Sequence, residues 1–467
     1  MNRYGGVGQR GEPAQGSPRE AASPRPSARP LELLILGYPL WWALGAGLIA
    51  VPLVALVAVH RLIRRRSIAV PPWFGLWALF LALVAVSIAN LGVSPPGTVE
   101  STWIGQLPGA VFRLGFYTCV TVIALWAYNL AADRALTVER LLFLLAYWGI
   151  VTVAGGLLGT FFGGFEYTSP VEMLLPEGIR SDGFVKSLVH PMAAQTMDVL
   201  GYESPRPAAP WGYTNTWGNI AALCSAWMAA YLFTGRGVRD ARRPWMWAAL
   251  VLGLIPIVFS LNRALWAGLV LMAAVALLKL LVSGRLGAVL AVTALGAVAA
   301  VAVLLSPLGA VVQARFDNPH SDDGRAFSSQ TAVDLTLEHS PLLGFGSTRK
   351  TLGSGESIAV GPTDDCPRCG ARTLGGNGQF WQALFAHGVL GVGAYIAFFL
   401  AVLWRFRSDH SPVGIAGTAC VVFSLFTMFF YNSLVTPLLV LLLGYVLLAA
   451  NGDRAAERTG RATGAAA

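Results

Sequence analysis

The chain has 467 residues, of which 55% are hydrophobic and 12% are charged, and its formal net charge is +9. These proportions exclude a chain of two or three soluble domains and are typical of a polytopic membrane protein. The positive charge does not indicate a nucleic-acid partner, because the basic residues lie in short turns between apolar runs, where membrane topology accounts for them.

Apolar runs dominate the chain after a polar start. Residues 1–30 are rich in Gly, Pro, Ser and Arg without apolar periodicity, so we predict a disordered tail there. Runs of the length that follows cross the hydrocarbon layer as helices, since lipid offers no partner to backbone polar groups. The predicted fold is all-α and polytopic, with about 11 (10–12) transmembrane helices. The predicted spans are 31–59, 70–93, 107–130, 141–162, 215–233, 245–260, 264–282, 286–308, 380–404, 413–430 and 434–450.

The distribution of lysine and arginine predicts the orientation. Within the transmembrane domain, 31–450, the short turns such as 61–66, 236–243 and 405–407 are basic, which predicts that they are cytoplasmic. The long loops at about 163–214 and 309–379 are then extracytoplasmic. Residues 451–467 form a predicted disordered cytoplasmic tail.

The first span disagrees with this orientation. An odd number of spans with a cytoplasmic C-terminus places the N-terminal tail outside, together with its five arginines. Either the tail is exported, or the segment 31–59, which is interrupted by Pro39 and Pro52, is a re-entrant pair.

The extracytoplasmic side carries more basic residues than orientation statistics favour. Guanidinium groups beside the outer leaflet suit a lipid diphosphate, because their planar fork bonds two phosphate oxygens at once and stays ionised when partly desolvated. Arg263 lies in a tight break between two apolar runs, and its alternative role is to anchor a helix end by snorkelling. The basic residues on this side are Arg113, Arg180, Lys186, Arg206, Arg263, Arg315, Arg325, Arg349, Lys350, Arg368 and Arg372.

Asparagines and glycines add detail on the same side. Thr214 or Asn215 is a candidate N-cap, and Asn215 and Asn219 are one helical turn apart, so both amides can face one cavity. The alternative is a cap and an interhelical hydrogen bond. Residues 325–337 permit a short surface helix, and the turn at 341–346 contains glycines that permit close backbone approach.

The cysteines fall into two groups. Cys119, Cys224 and Cys420 lie in apolar runs and are predicted to be buried and inert. Cys366 and Cys369 lie in the long outer loop, where a structural disulfide is the first choice on an oxidising face, with half a zinc site or a redox pair as alternatives. We predict no metal site, because a second such pair is missing from the sequence.

In this order and on one side, these segments resemble the O-antigen ligase and O-antigen polymerase-like superfamily of membrane glycosyltransferases, over roughly residues 100–450. The likeness lies in Arg206 with 212–219, in 262–266, in Arg325 with 341–346, and in 377–382 with 388–391. The resemblance implies a glycosyltransferase type C-like fold in the cytoplasmic membrane. It implies transfer of a glycan from a polyprenyl diphosphate carrier to a hydroxyl of a glycan, lipid or protein acceptor, with inversion and without a metal or other cofactor.

The resemblance also assigns residues. Family members often carry a histidine where this chain has Asn377, and that histidine is the usual candidate for assisting deprotonation of the acceptor. Asparagine cannot accept a proton, so another base is needed, or the acceptor is activated mainly by position. His387 lies too deep, which leaves His339, His190, Asp322, Asp323 and Glu338. The candidate catalytic residues are Arg263, Arg325, Asn377 and His339, and the candidate substrate-binding residues are Arg206, Asn215, Asn219, Gln379 and Arg113.

Two other functions fit a polytopic membrane protein. A transporter or flippase for the same lipid-linked material predicts charged residues deep within the spans, whereas these spans are almost free of charge. An assembly subunit that has lost activity is consistent with Asn377.

Overall fold

The computed structural model describes residues 27–181, 183–198, 200, 202–235, 237–317, 322–352 and 372–464. It is 72% helical, which confirms the predicted all-α class. Residues 1–26 of the predicted tail 1–30 lie outside the described residues. The helices are α1 (Arg29–Leu36), α2 (Tyr38–Ala43), α3 (Gly47–Ile63), α4 (Phe74–Ser87), α5 (Trp103–Ala132), α6 (Val138–Phe161), α7 (Pro170–Leu174), α8 (Glu177–Arg180), α9 (Gly183–Val189), α10 (Thr214–Leu232), α11 (Arg243–Leu252), α12 (Leu254–Phe259), α13 (Arg263–Val282), α14 (Leu286–Leu305), α15 (Pro307–Asp317), α16 (Asp322–His339), α17 (Gln379–Arg405), α18 (Pro412–Thr427) and α19 (Thr436–Gly464).

Short strands and 3-10 helices complete the secondary structure. Strand β1 (Ala194–Asp198) pairs with β2 (Glu203–Pro207), and β3 (Arg349–Lys350) pairs with β4 (Thr373–Leu374); both pairs are antiparallel. The 3-10 helices are Ile88–Gly92 and Gly237–Arg239.

The helices have the lengths and compositions of a membrane protein. Within the described residues, seven helices are long and apolar enough to cross a bilayer. None of the apolar side chains of helix α14 is buried, so this helix exposes an apolar surface to whatever surrounds the bundle. Such a surface is stable in lipid and not in water. The seven are Phe74–Gly92, Trp103–Ala132, Val138–Phe161, Arg263–Val282, Leu286–Leu305, Gln379–Arg405 and Thr436–Glu457, and shorter apolar helices are Gly47–Ile63, Arg243–Phe259 and Pro412–Thr427.

The first predicted span, 31–59, is a helical hairpin. Glu32 on α1 pairs with Arg140 at the start of α6, at 2.6 Å. The turn of the hairpin lies beyond the other end of α6, where Gly45 approaches Ser169 so closely that a Cβ on Gly45 would lie 2.1 Å from the hydroxyl oxygen. The chain therefore runs along α6 and returns as α3. This geometry corresponds to the pair of segments that Pro39 and Pro52 indicated.

Ion pairs join the helix ends on one side, which we call the basic end; the opposite side is the loop end. Helix α19 reaches past the apolar bundle there, since Arg454 pairs with Glu139 at 3.1 Å and Tyr128 donates a hydrogen bond to Asp453 at 2.9 Å. The structure therefore has helix up to Gly464, where the sequence predicted a disordered tail from residue 451. These contacts stabilise the extra turns, and composition alone does not reveal them.

Glycines on α6 bring the loop-end segments close to the bundle. A Cβ on Gly159 would lie 2.3 Å from the carbonyl oxygen of Ala193, and one on Gly155 would lie 2.3 Å from that of Ala209. Only glycine permits backbone this close to the helix. The hairpin β1–β2 is consequently seated directly on α6.

Helix α17 is broken at Gly388, which has φ +66° and ψ −170°. The turn 341–346 enters the break: Phe345 N donates to the carbonyl oxygen of Phe385 at 2.9 Å, and Val389 N donates to that of Pro341 at 2.8 Å. The backbone groups freed by the break thus find partners in the turn. The predicted close approach at 341–346 is confirmed, with Gly344 and Gly346 at positive φ.

Replacing Gly388 with alanine is expected to lower the melting temperature of the detergent-purified protein. The new Cβ would lie 2.3 Å from backbone atoms of Leu342. We expect a cost of about 1–3 kcal/mol from crowding and a similar cost from the backbone conformation. Gly393 on the same helix is the control, because a Cβ there meets nothing within 4 Å. Equal melting temperatures for G388A and G393A would contradict this account of the break.

Candidate functional site

A cavity of about 480 Å³ lies at the loop end, and we call it the central cavity. Its walls come from the first helical hairpin, the segment before β1, β2, the start of α10, α16 and the segment between α18 and α19. Polar groups from distant parts of the sequence therefore converge on one concave site, which is typical of ligand-binding sites. The polar side chains include His190, Gln195, Arg206, Tyr213, Asn215, Arg325, Tyr431 and Asn432.

Arg206 supplies a buried cation to the central cavity. It lies on β2, is 6% exposed, and donates from Nε to the carbonyl oxygen of Ser260 at 2.6 Å. The pKa of Arg206 is lowered to about 10, mainly by burial and in part by the nearby cations Arg315 and Arg325, while Tyr431 acts in the opposite direction. A pKa of about 10 leaves the guanidinium charged at neutral pH.

Arg325 supplies a second cation from α16. Its side chain is exposed and lines the central cavity. No hydrogen-bond partner for this guanidinium is found within the described residues. Its donors are therefore available to a ligand, whereas two donors of Arg206 are held by the protein, Nε by the carbonyl oxygen of Ser260 and Nη1 by Met197 Sδ at 3.4 Å.

Arg263, the third predicted arginine, does not line the central cavity. It begins α13 and follows Asn262, which caps that helix by accepting from the N–H of Leu265 at 3.4 Å. The side chain of Asn262 also reaches the cavity wall, since it donates to Asn215 Oδ1 at 3.2 Å and accepts from the hydroxyl of Tyr431. The structure thus brings Arg206 and Arg325 together and leaves Arg263 next to, but outside, the cavity lining.

The two predicted asparagines separate. Asn215 lines the central cavity, but Asn219 is buried away from it, and Asn219 Oδ1 has no hydrogen-bond partner within the described residues. The N-cap of α10 is Tyr213, which makes no capping bond with its side chain. The expectation that both amides face one cavity holds for Asn215, and the predicted cap at Thr214 or Asn215 is wrong.

Arg113 and Gln379 make hydrogen bonds to other side chains of the protein. Arg113 donates to the hydroxyls of Ser347 and Thr348 at 2.8 and 2.9 Å. Gln379 is fully buried and donates to the hydroxyl of Tyr117 at 2.6 Å. Neither residue lines the central cavity, so these side chains hold the loop-end segments in place and do not reach its ligand space.

A second cavity of about 550 Å³ adjoins Arg325, and we call it the second cavity. Asn377 lines it and donates from Nδ2 to the carbonyl oxygen of Arg325 at 3.0 Å and to Ser329 Oγ at 3.2 Å. Trp381 and Phe429 form an apolar wall. Arg325 lines both cavities, so a group bound in one is next to a group bound in the other.

His339 lines neither cavity, whereas His190 lines the central cavity. His339 ends α16, where its exposed ring is 3.8 Å from Glu338. His190 lines the central cavity, and its Nδ1 lies 2.7 Å from Glu172 Oε2. The sequence signal for this pair is modest: Ser169 and Glu172 have capping-box spacing, which fixes Glu172 at the start of α7.

Arg349 is buried, and its side-chain hydrogen bonds within the described residues all go to backbone carbonyl oxygens. Its guanidinium donates to the carbonyl oxygens of Leu91 and Phe345, at 2.9 and 3.1 Å, and also to those of Val93, Ser347 and Thr348. Burial is the main cause that lowers the pKa of Arg349 to about 10. This arginine ties the end of the 3-10 helix Ile88–Gly92 to the segment before β3.

Arg349→Gln is expected to lower the stability of the protein, because several buried carbonyl oxygens lose their donor. Each unsatisfied group costs about 1–3 kcal/mol. The measurement is the melting temperature in detergent. Lys350→Gln is the matched control, since Lys350 is exposed on the same strand. A melting temperature of R349Q equal to that of K350Q would contradict the structural role.

Metal ligands and cysteines give no further site. Within the described residues, no group of three or more His, Cys, Asp or Glu side chains could hold a metal ion. Cys366 and Cys369, the candidate disulfide, lie outside the described residues. Cys224 and Cys420 are buried, as predicted, and Cys119 is half-buried.

The composition of the two cavities is the basis for assigning a function. Arg206 and Arg325 provide positive charge, His190 provides an imidazole ring, and the second cavity provides an apolar wall. The chain matches no protein-family model and no curated protein.

Proposed function

We propose that the protein is a membrane glycosyltransferase that moves a glycan from a polyprenyl diphosphate carrier to an acceptor hydroxyl, with inversion at the sugar. One observation carries the proposal: Arg206 and Arg325, from separate parts of the chain, line one cavity at the loop end. Together they suit the charge of a lipid diphosphate.

The chemistry needs stabilisation of a leaving group. When the bond between the sugar and the diphosphate breaks, negative charge grows on the diphosphate. Arg206 is preorganised by its bond to Ser260, and Arg325 has donors available. Fixed positive groups at the place where charge develops are the usual source of large rate effects.

The membrane arrangement supports an outward-facing site. If the first helical hairpin is counted as two spans, the eleven predicted spans become twelve. Glu32 near the start of the described chain and Arg454 near its end then both lie at the basic end, through their ion pairs with Arg140 and Glu139. The positive-inside rule makes the basic end cytoplasmic. In this arrangement both cavities face the outer side of the cytoplasmic membrane, where a lipid-linked glycan awaits transfer.

The segments that carry the family resemblance contact one another. Asn262 binds Asn215, and Asn377 binds the backbone of Arg325. The second cavity, with Trp381 on its wall, suits an acceptor beside the donor, since aromatic faces stack on sugars. We propose the superfamily of O-antigen ligases and polymerases as the kind of enzyme, with ligase and polymerase activity separated by the acceptor.

The experiment compares membranes from a strain that lacks the gene with and without the purified protein. Those membranes contain accumulated donor and acceptor, and the readout is free polyprenyl diphosphate measured by mass spectrometry. A transferase releases it in step with loss of the lipid-linked glycan. A transporter or flippase moves the lipid-linked glycan across the bilayer without cleaving it, and an inactive assembly subunit does neither; either result would overturn the proposal.

A further inference from the structure

We propose that His190 is the base that accepts the proton of the acceptor hydroxyl and that Glu172 is its positioning residue. This inference rests on the proposed transferase function and adds a residue to it. Asn377, at the position where a family histidine is expected, has an amide that cannot take up a proton. A deprotonating group would therefore come from elsewhere in the chain.

The pair is built into the wall of the central cavity. The His190 side chain is 8% exposed and that of Glu172 is 5% exposed. Ser169 holds the Glu172 carboxylate through its N–H at 3.3 Å and accepts from the N–H of Glu172 at 3.1 Å, while its hydroxyl donates to the carbonyl oxygen of Val189 at 2.6 Å. Ser169 thus fixes both Val189, the residue before His190, and Glu172, the carboxylate partner of His190.

The bond to Glu172 determines which ring nitrogen of His190 is basic. A carboxylate only accepts, so Nδ1 of His190 donates to Glu172 Oε2 across 2.7 Å. The lone pair of the neutral ring is then on Nε2, which has no hydrogen-bond partner within the described residues. The nearest acidic group, Glu166 Oε2, is 3.7 Å away, beyond hydrogen-bond distance. Nε2 is enclosed in the cavity wall, so a small movement of the wall has to bring it within reach of an acceptor hydroxyl, and catalytic hydrogen bonds often tighten in this way only in the substrate complex.

Other titratable groups on the described cavity wall are less suitable. Arg206 and Arg325 are cations without a lone pair to offer. Burial raises the pKa of Tyr431, so its phenol keeps its proton at neutral pH. The neutral imidazole of histidine has one ring nitrogen with a lone pair, and histidine is the commonest general base in enzymes.

The step balances as an inverting displacement. The acceptor oxygen forms a bond to the anomeric carbon while its proton moves to His190 Nε2. The bond between the anomeric carbon and the diphosphate oxygen breaks, and the electron pair leaves with polyprenyl diphosphate, beside Arg206 and Arg325. Glu172 stabilises the imidazolium, which then loses its proton to water.

The test uses the full-length protein in the membrane assay, with binding of added undecaprenyl diphosphate measured separately. His190→Gln is expected to lower the rate of polyprenyl diphosphate release about 10²–10⁴-fold, the range of general-base catalysis, and to leave the Kd for undecaprenyl diphosphate within about twofold. Glu172→Gln is expected to lower the rate as well, because an amide at that place can donate to Nδ1 and shift the proton to Nε2.

Imidazole separates a base from a structural residue. His190→Ala leaves space in the cavity wall, and added imidazole is expected to restore part of the rate in proportion to its concentration. His60→Gln is the matched control, since His60 is exposed near the end of α3 at the basic end, and its rate should equal that of the wild type.

The outcomes distinguish this proposal from the proposed function. Full activity of His190→Gln, together with loss of activity in Arg325→Ala, would overturn the base and leave the transferase intact. A loss of donor binding in His190→Gln that matches its loss of rate, without rescue by imidazole, would show that His190 only holds the loop. Absence of polyprenyl diphosphate release by the wild-type protein would overturn both proposals.

Discussion

Arg325→Ala is expected to lower glycan transfer about 10²–10³-fold, the effect of removing one donor from a preorganised anion site. The reason is that the Arg325 guanidinium lines both cavities and has donors available to a ligand. The measurement is the initial rate of polyprenyl diphosphate release from lipid-linked glycan. Arg325→Lys should recover only part of the rate, because an ammonium lacks the planar fork that bonds two phosphate oxygens.

Arg180→Ala is the control for this prediction. Arg180 ends α8, in the segment between α6 and α10, pairs with Glu177 and does not line either cavity. Its loss should leave the rate within about twofold, as is usual for an exposed ion pair. If R325A and R180A retained the same rate, Arg325 would not be the diphosphate contact.

Arg206→Met is expected to weaken binding of undecaprenyl diphosphate about 10–150-fold, which corresponds to loss of about 1.5–3 kcal/mol for hydrogen bonds to a charged group. The same change removes the donor to the Ser260 carbonyl oxygen, so the melting temperature should also fall. Methionine keeps most of the side-chain volume, which limits the effect to charge and hydrogen bonding. The two measurements are equilibrium binding and thermal denaturation in detergent.

Arg315→Met separates the two effects. Arg315 is buried to the same degree, 6% exposed, and donates from Nε to the carbonyl oxygen of Leu261 at 3.1 Å, but it does not line the central cavity. We expect R315M to lose stability and to keep its affinity for undecaprenyl diphosphate. Equal losses of affinity in R206M and R315M would mean that Arg206 acts through folding and not through contact.

The sequence correctly predicts features that depend on short segments. Apolar runs predict the helices of the bundle, since each run needs only its own length and composition to be stable in lipid. The glycines at 341–346 predict a close backbone approach, and in the structure this turn forms backbone hydrogen bonds with α17 at its break, Gly388. Arg206 and Arg325 stand out as cations in the two long polar loops before any contact is known.

Several candidate site residues lie outside the linings of the two cavities, and they differ from the lining residues in the position of single side chains. Asn219 is one helical turn from Asn215 but is buried and does not line the central cavity, and Gln379 donates to the hydroxyl of Tyr117. His339 ends α16 in an exposed position, while His190, eighteen residues from its partner Glu172, lines the cavity. Residue type and spacing cannot reveal these differences, because each depends on how segments far apart in the chain pack together.

By itself the sequence determined a helical membrane protein with a surplus of arginine on one side, because hydropathy and charge are properties that each segment carries wherever it packs. The tertiary structure decided which of these groups share a cavity. The hairpin β1–β2 seated on the glycines of α6 brings Arg206 to the cavity wall, and the capping box at Ser169 brings Glu172 to His190. Such contacts join residues that are far apart in the chain, and a local sequence pattern does not encode them.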